Sequence, residues 1–280
     1  MSPSRCLVAM LALALSAPAG AFGRLGNAED LLNLGQRAAK ASQPITEQDE
    51  VELGRGIAAN VLGAAPLVPD AELQRYVNRV GLWVAMQSER PSLPWRFGVI
   101  DSSDVNAFAL PGGTILVTAG LYDRLRDEAE LASVLGHEIS HVVQKHHVKA
   151  IQVAMGRDFA TEIAGEVAGR SDNELVRRFG DKAFRAGTEM YARGLDKNDE
   201  YDADQRGMVL AARAGYNPFA LAGVLQTLDS ANPSDKSVAL LFSTHPTPSS
   251  RIERLGAVVG EKLDPYAAQT APGRLYRPKK

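Results

Sequence analysis

The amino-acid sequence predicts an α+β fold, mostly helical, with a small sheet packed beside the helix that carries the chemistry. Three observations predict it. Short extended runs cluster between Arg96 and Thr118. Apolar residues at helical spacing dominate before and after that region. Proline and glycine pairs, not long polar tracts, separate the segments.

In chain order, residues 28–62 read as helical with a break at Pro44, and Thr46 followed by Asp49 marks a helix start. Pro69-Asp70 opens a second helix with Leu73, Tyr76, Val77, Val80 and Val84 on one face; Pro91 and Pro94 end it. Arg96 to Ile100 is a strand, followed by a turn at residues 101–104. Asn106 to Leu110 is a second extended segment, stopped by Pro111-Gly112-Gly113, and Thr114 to Thr118 is a third. The next helix begins near Asp127, which with Glu130 has the form of a capping box. Its stripe of Leu131, Val134, Leu135, Ile139, Val142 and Val143 runs through His137-Glu138-Ile139-Ser140-His141. Residues 157–196 are polar and glycine-punctuated, the least legible stretch. A helix from Asn198 or Asp199 to Gly215 follows, then short helices at 221–228 and 249–260 and a loose, slightly basic tail from Pro265.

The composition is that of a globular chain, 45% hydrophobic and 23% charged. A net charge of −2 gives no basic surplus for phosphate neutralisation, so no nucleic-acid partner is expected. Arg5, the apolar run from Cys6 to Ala17 and the small residues Ala19-Gly20-Ala21 have the form of an export signal cut after Ala21. The run falls short of the roughly 20 residues that a spanning helix needs. With Cys6 the only cysteine, the mature chain would have no disulfide and no thiol ligand, and no transmembrane segment.

Histidines four residues apart lie one helical turn apart on one face, so both imidazoles can reach a single ion. Zinc takes imidazole nitrogen at about 2.0–2.1 Å and prefers four ligands, one position staying open in a catalytic site. Glu138, beside the first histidine, can take a proton from a zinc-bound water and pass it to a leaving amine. Such a string arises by chance in on the order of one per cent of chains this long, so its setting decides. Two solvated histidines on a surface helix would not share the apolar stripe, where unpaired imidazoles cost free energy. A third ligand should come from a later helix. Glu200 and Asp204 share a face at i, i+4, and Gly207 one turn on would let that helix approach closely. They read as a ligand and a group orienting a ligand imidazole, or as an acidic first turn suited to the helix dipole. His245 reads evenly as a functional group or as a plain His-Pro turn, and Arg251 as the partner of an acid near the cleft or as a surface arginine. His146 and His147 read as structural or solvated.

Several motifs occur together and in order: Asn106-Ala107-Phe108-Ala109-Leu110-Pro111-Gly112-Gly113; residues 130–141 ending in His137-Glu138-Ile139-Ser140-His141; Glu200-Tyr201-Asp202-Ala203-Asp204; Ala214-Gly215-Tyr216-Asn217-Pro218; and Ser243-Thr244-His245-Pro246 with Arg251-Ile252. In these the chain resembles the zinc metallopeptidase family of HtpX and the CAAX prenyl endopeptidases, nearest the soluble periplasmic BepA-like branch. The resemblance spans about Thr46 to Leu255. It implies a zincin-like domain of the gluzincin kind, with one Zn2+ per subunit held by His137, His141 and Glu200. It makes Glu138 and His245 catalytic, and Asn106, Ala107, Phe108 and Ala109 an edge strand that binds substrate backbone. His245 would stabilise the oxyanion or, alternatively, block the zinc and hold the enzyme latent. The branch also carries a long run of C-terminal helical repeats; with the sequence stopping soon after Leu255, partner docking by such repeats is not implied here.

The expected organisation is a signal peptide (1–21), an N-terminal helical segment (22–45), a zinc metallopeptidase domain (46–263) and a flexible tail (264–280). The expected function is a periplasmic zinc endopeptidase acting on misfolded or misassembled cell-envelope proteins. The alternative is an envelope quality-control binding protein or chaperone whose zinc is blocked by His245. The resemblance further implies unfolded polypeptides as partners and an association with outer-membrane assembly machinery.

Overall fold

The structure, a computed structural model, describes residues 45–153, 195–231, 235–258, 260–269 and 275–278. The expected export signal, the segment 22–44 and residues 157–194 lie outside the described residues. Those from 45 to 152 and from 195 onward belong to one compact unit.

Helix α1 (Glu47–Ala64) starts at a reciprocal cap: the Thr46 hydroxyl accepts from the Asp49 amide, and the Asp49 carboxylate accepts from the Thr46 amide. Helix α2 (Ala71–Ala85) is capped by Asp70, which accepts from the amides of Glu72 and Leu73. Leu73, Tyr76, Val77, Val80 and Val84 are all buried, and this face packs on the sheet and on the motif helix. The sheet has three strands, β1 (Arg96–Ile100), β2 (Ala107–Leu110) and β3 (Thr114–Thr118), in the order β1-β3-β2. β1 runs parallel to β3, and β2 antiparallel to it, with Ala107 opposite Val117. Gly112 and Gly113 turn the chain between β2 and β3 at φ of 75° and 100°, values that side chains with a Cβ avoid. A short helix, α3 (Ala119–Tyr122), follows β3 directly; the sequence pattern does not mark it.

Helix α4 (Glu128–Val143) carries the histidine motif. Asp127 caps it by accepting from the Glu130 amide. The other half of the expected box is not made. The Glu130 carboxylate accepts from the Arg126 amide at 2.6 Å and from Arg126 Nε at 2.5 Å, so it secures the residue before the cap. The periodicity predicts an amphipathic helix, yet every residue from Glu130 to Val142 is buried. The reason is packing on several sides, by α2, β2 and two later helices. The Ser140 hydroxyl within this span is satisfied by the Gly136 carbonyl at 2.8 Å. Lys145, at φ 57°, then redirects the chain into a further helical stretch, α5 (146–153).

Helix α6 (Lys197–Arg213) is capped by Asp196 and ends before Gly215, whose φ is 87°. It lies along α4. Helices α7 (Ala220–Asp229), α8 (Ala239–Thr244) and α9 (Pro248–Val258) complete the described helical framework, with α9 packed on α6 and α7. The tail departs from the expectation of a loose segment. Leu275 is buried in the main core, the Tyr276 carbonyl accepts from the Tyr122 hydroxyl at 2.6 Å, and the Tyr276 hydroxyl reaches Asp70 Oδ2 at 3.1 Å. Leu275, Tyr276 and Arg277, whose guanidinium donates to the Tyr122 and Leu125 carbonyls, anchor residues 275–278 to α3 and the start of α2. Among the described residues, no helix is long and apolar enough to cross a membrane.

Candidate metal centre

The centre is built where α4 crosses α6. A Cβ on Gly136 would lie 2.8 Å from the Gly207 carbonyl oxygen, and one on Gly207 would lie 2.7 Å from the His137 amide nitrogen. Two glycines therefore let the two backbones touch. This contact brings Glu200 and Asp204, one turn apart on α6, to the same face of α4 as His137 and His141.

The imidazoles converge. His137 Nε2 and His141 Nε2 are 3.1 Å apart, and both rings are buried. Glu200 Oε2 stands 3.7 Å from His137 Nε2, and Glu200 Oε1 stands 3.5 Å from His141 Nε2. Donors at 2.0–2.1 Å from a tetrahedral ion lie about 3.3–3.4 Å from one another; the imidazole pair is close to that value, and the Glu200 carboxylate turns one oxygen toward each ring. Glu200 is 1% exposed, and its Oε1 has no hydrogen-bond partner among the described residues. An orphaned buried carboxylate oxygen beside an imidazole nitrogen is costly without a cation to share. The donor set thus fits a divalent metal of zinc's preference. His245 offers a further donor beside two of these: ligand atoms of His137, Glu200 and His245 all lie within 4.8 Å of one another, a group that does not include His141. His245 Nδ1 is 2.5 Å from Glu200 Oε2.

Charges behind the donors fix their protonation. Asp204 Oδ1 is 2.8 Å from His137 Nδ1, and an ionised carboxylate only accepts, so the proton sits on Nδ1 and the Nε2 lone pair faces the centre. Arg251 from α9 holds the same carboxylate at both oxygens, Nε to Oδ2 at 2.8 Å and Nη2 to Oδ1 at 2.5 Å. Burial works against the Asp204 charge, but Arg251 outweighs it and holds the carboxyl well below the usual range. Glu200 is held low in the same way: burial opposes its charge, and His245, His141 and His137 together prevail. For His137, burial favours the neutral ring, yet the Asp204 hydrogen bond leaves its pKa raised. Burial pushes His141 well below its ordinary value. Glu138, 5% exposed, is pushed up by burial, which makes its carboxylate a stronger base.

Two small cavities meet at Glu138. One, of about 30 Å³, is lined by residues 106–109, Glu138, His141, His147, Glu200 and His245. Asn106, Ala107, Phe108 and Ala109 therefore stand beside the donor set, three of them on β2 at one end of the three-strand order. The other cavity, of about 40 Å³, has an apolar wall that includes Leu121, Val134, Val224 and Leu228, and it reaches Glu138 and His245.

Three further residues belong to this centre. Arg251, which the sequence leaves open between two readings, is buried and paired with Asp204. His146 and His147, expected to be structural or solvated, are both buried, with ring centroids 5.1 and 5.4 Å from that of His141. Burial pushes His147 down to about 3. What sequence reasoning missed is the left-handed turn at Lys145, which folds the chain back so that the residue after it meets His141. A histidine pair directly after the motif helix is the one available signal.

The peptidase family M48 model matches residues 71–259 of the chain, and the chain belongs to that family. It is similar to the beta-barrel assembly-enhancing protease of Escherichia coli K12, 28% identical over 249 residues that make up 88% of this chain and 50% of that protein. Metalloprotease LoiP of the same organism is 29% identical over 165 residues, 58% of this chain and 62% of LoiP. The mitochondrial metalloendopeptidase OMA1 of Bos taurus is 29% identical over 176 residues, 60% of this chain and 33% of OMA1. The chain spans about half the length of the first of these relatives.

Proposed function

We propose that this member of peptidase family M48 is a zinc-dependent endopeptidase that hydrolyses peptide bonds in misfolded or misassembled cell-envelope proteins. The observation that carries the reading is the convergence of two imidazole Nε2 atoms and a Glu200 carboxylate whose Oε1 has no hydrogen bond among the described residues, beside the buried Glu138. His137, His141 and Glu200 would hold the ion. Zinc bound there supplies Lewis acidity toward a carbonyl oxygen and lowers the pKa of a coordinated water. Glu138 takes the water's proton and returns it to the leaving amine; its raised basicity suits both steps. An N–H of His245 meets the developing oxyanion. Asp204 keeps His137 in the tautomer that presents Nε2. Residues 106–109 position the substrate chain along the cleft. We read residues 1–21 as an export signal, 46–263 as the peptidase domain and the periplasm as its location. Similarity to the beta-barrel assembly-enhancing protease supports envelope β-barrel proteins as clients and their assembly machinery as a partner.

The purified protein is expected to degrade casein in the presence of zinc, and Glu138→Gln to abolish this while zinc binding is retained. Activity that survives the substitution overturns the mechanism.

One contact favours a second reading. His245 Nδ1 lies 2.5 Å from Glu200 Oε2, so the ring is engaged with the donor set and not with a substrate, and as a fourth donor to the ion it would close that set. A closed four-donor site is structural, an open one catalytic, so a resting protein of this geometry would be latent and could act as a client-binding protein. His245→Ala raises peptidase activity if the latch operates on an enzyme. Client binding that persists with no gain in cleavage favours the binding protein.

A further inference from the structure

Behind His141 stands a second pair of facing imidazole nitrogens. His141 Nδ1 and His146 Nδ1 are 3.0 Å apart, with both rings buried. One nitrogen must carry the hydrogen and the other the lone pair, and the two choices differ in consequence. If His146 donates, the remaining His141 hydrogen sits on Nε2. That hydrogen then points at His137 Nε2, 3.1 Å away, and closes the centre to a cation. If His141 donates, its Nε2 presents a lone pair beside those of His137 and Glu200.

The far side of His146 selects between them. Its Nε2 faces two carboxylates from the first two turns of α6, Asp199 Oδ1 at 3.5 Å and Asp202 Oδ2 at 4.0 Å. These distances exceed a hydrogen bond, but two anions bias the ring to carry its hydrogen on Nε2 and leave Nδ1 as the acceptor. The backbone is shaped for this contact. A helix continued past Val143 would carry residue 146 well around the axis from His141, since successive residues turn by about 100°. Lys145 instead adopts φ 57°, a conformation uncommon for a residue with a Cβ. Its Nζ lies 3.4 Å from the buried Glu50 Oε2. Such outliers persist where surrounding structure holds them.

We infer that His146 is a positioning residue for the metal ligand His141: it accepts the Nδ1 hydrogen of His141, held in the accepting tautomer by Asp199 and Asp202, and so keeps the His141 Nε2 lone pair directed at the centre. The acidic N-terminal half of α6 thereby has two parts. Glu200 and Asp204 serve the ion and His137, while Asp199 and Asp202 serve His141 through His146. The inference rests on the reading of His141 as a ligand.

The test measures zinc affinity of the full chain by competition with a chromogenic chelator, so it needs no turnover. Wild-type protein that binds no zinc removes the metal reading itself. Given wild-type binding, His146→Ala weakens zinc about 10–100-fold. His146→Asn, whose carbonyl oxygen replaces the Nδ1 acceptor, recovers most of that loss. Asp199→Asn/Asp202→Asn weakens zinc by a smaller factor and leaves thermal unfolding near wild type. Unchanged affinity in His146→Ala overturns the inference, as does a His146→Asn protein no better than the alanine variant. Should His146→Ala fail to fold, the asparagine and double-aspartate variants decide alone: wild-type affinity in the double variant then overturns it.

Discussion

Two buried arginine–carboxylate pairs support the motif helix, and only one of them touches a histidine. Asp204 and Arg251 lie behind His137, joined at both oxygens, with Asp204 Oδ1 also 2.8 Å from His137 Nδ1. Glu50 and Arg90 lie at the C-terminal end of α4, again joined at both oxygens, each at 3.0 Å. Glu50 spends its remaining capacity on the Gly112 amide at 3.2 Å and on Lys145, and Arg90 on the Val142 carbonyl at 3.2 Å and on Glu47. The ionic chemistry is the same in both places. What differs is the third partner, which is a candidate ligand imidazole in one case and turn and helix-end backbone in the other. A buried ion pair is therefore no marker of function by itself; the atom it leaves exposed to its neighbours decides.

The largest effect comes from treating the pairs alike. Glu50→Ala strands Arg90 and is expected to cost about 3–5 kcal/mol, the range for breaking a buried pair. The low end applies, because the Arg90 side chain keeps 14% of its surface exposed. Glu50→Leu/Arg90→Met removes both charges and should restore most of that loss in urea unfolding. The matching Asp204→Leu/Arg251→Met variant should also fold, yet bind zinc about 10–100-fold more weakly, because His137 has lost the acceptor that fixes its tautomer. The comparison breaks if the Asp204 double variant binds zinc as tightly as wild type, or if the Glu50 double variant remains as unstable as Glu50→Ala.

The two regions were also unequally legible. The α4 motif and the shared face of Glu200 and Asp204 follow from helical spacing alone, since i, i+4 positions coincide on one side whatever packs against them. The caps at Thr46 and Asp127 are likewise local. Glu50 and Arg90 are 40 residues apart, and nothing in either segment announces that a carboxylate at helical position four will be buried. The clustering of His146 with His141 depends on one backbone angle at Lys145, a residue type that gives no warning of a left-handed turn. Glu130, Ser133 and Ser140 look like a polar face of α4 and are buried, because the helix is enclosed by partners that periodicity cannot count. Nor does spacing reveal that β1 pairs with β3 and leaves β2 at one end, a parallel pairing across a crossover.

The smallest effect is the acid dependence of the metal-free protein, which separates the carboxylate side of the centre from the histidine side. A group held low in the folded state contributes stability above its unfolded pKa and loses it as pH falls toward the folded value. His147 is pushed down by burial to about 3 from an ordinary 6.5, and His141 is depressed by the same cause, so their loss begins near pH 7 and runs downward. Asp204 starts from an ordinary 3.8 and Glu200 from 4.5, so their loss begins only below about pH 5. Urea midpoints with a chelator present should therefore fall in two overlapping stages between pH 7 and pH 3. Asp204→Asn should fall more steeply than wild type from about pH 7, because His137 loses the carboxylate that keeps its pKa raised, and then flatten relative to it below pH 5. His147→Gln should instead flatten the upper stage and keep the lower. Parallel curves for Asp204→Asn and wild type below pH 5 would mean that Asp204 carries no depressed charge. Its pair with Arg251 would then belong with Glu50–Arg90, as support for the fold and not for the centre.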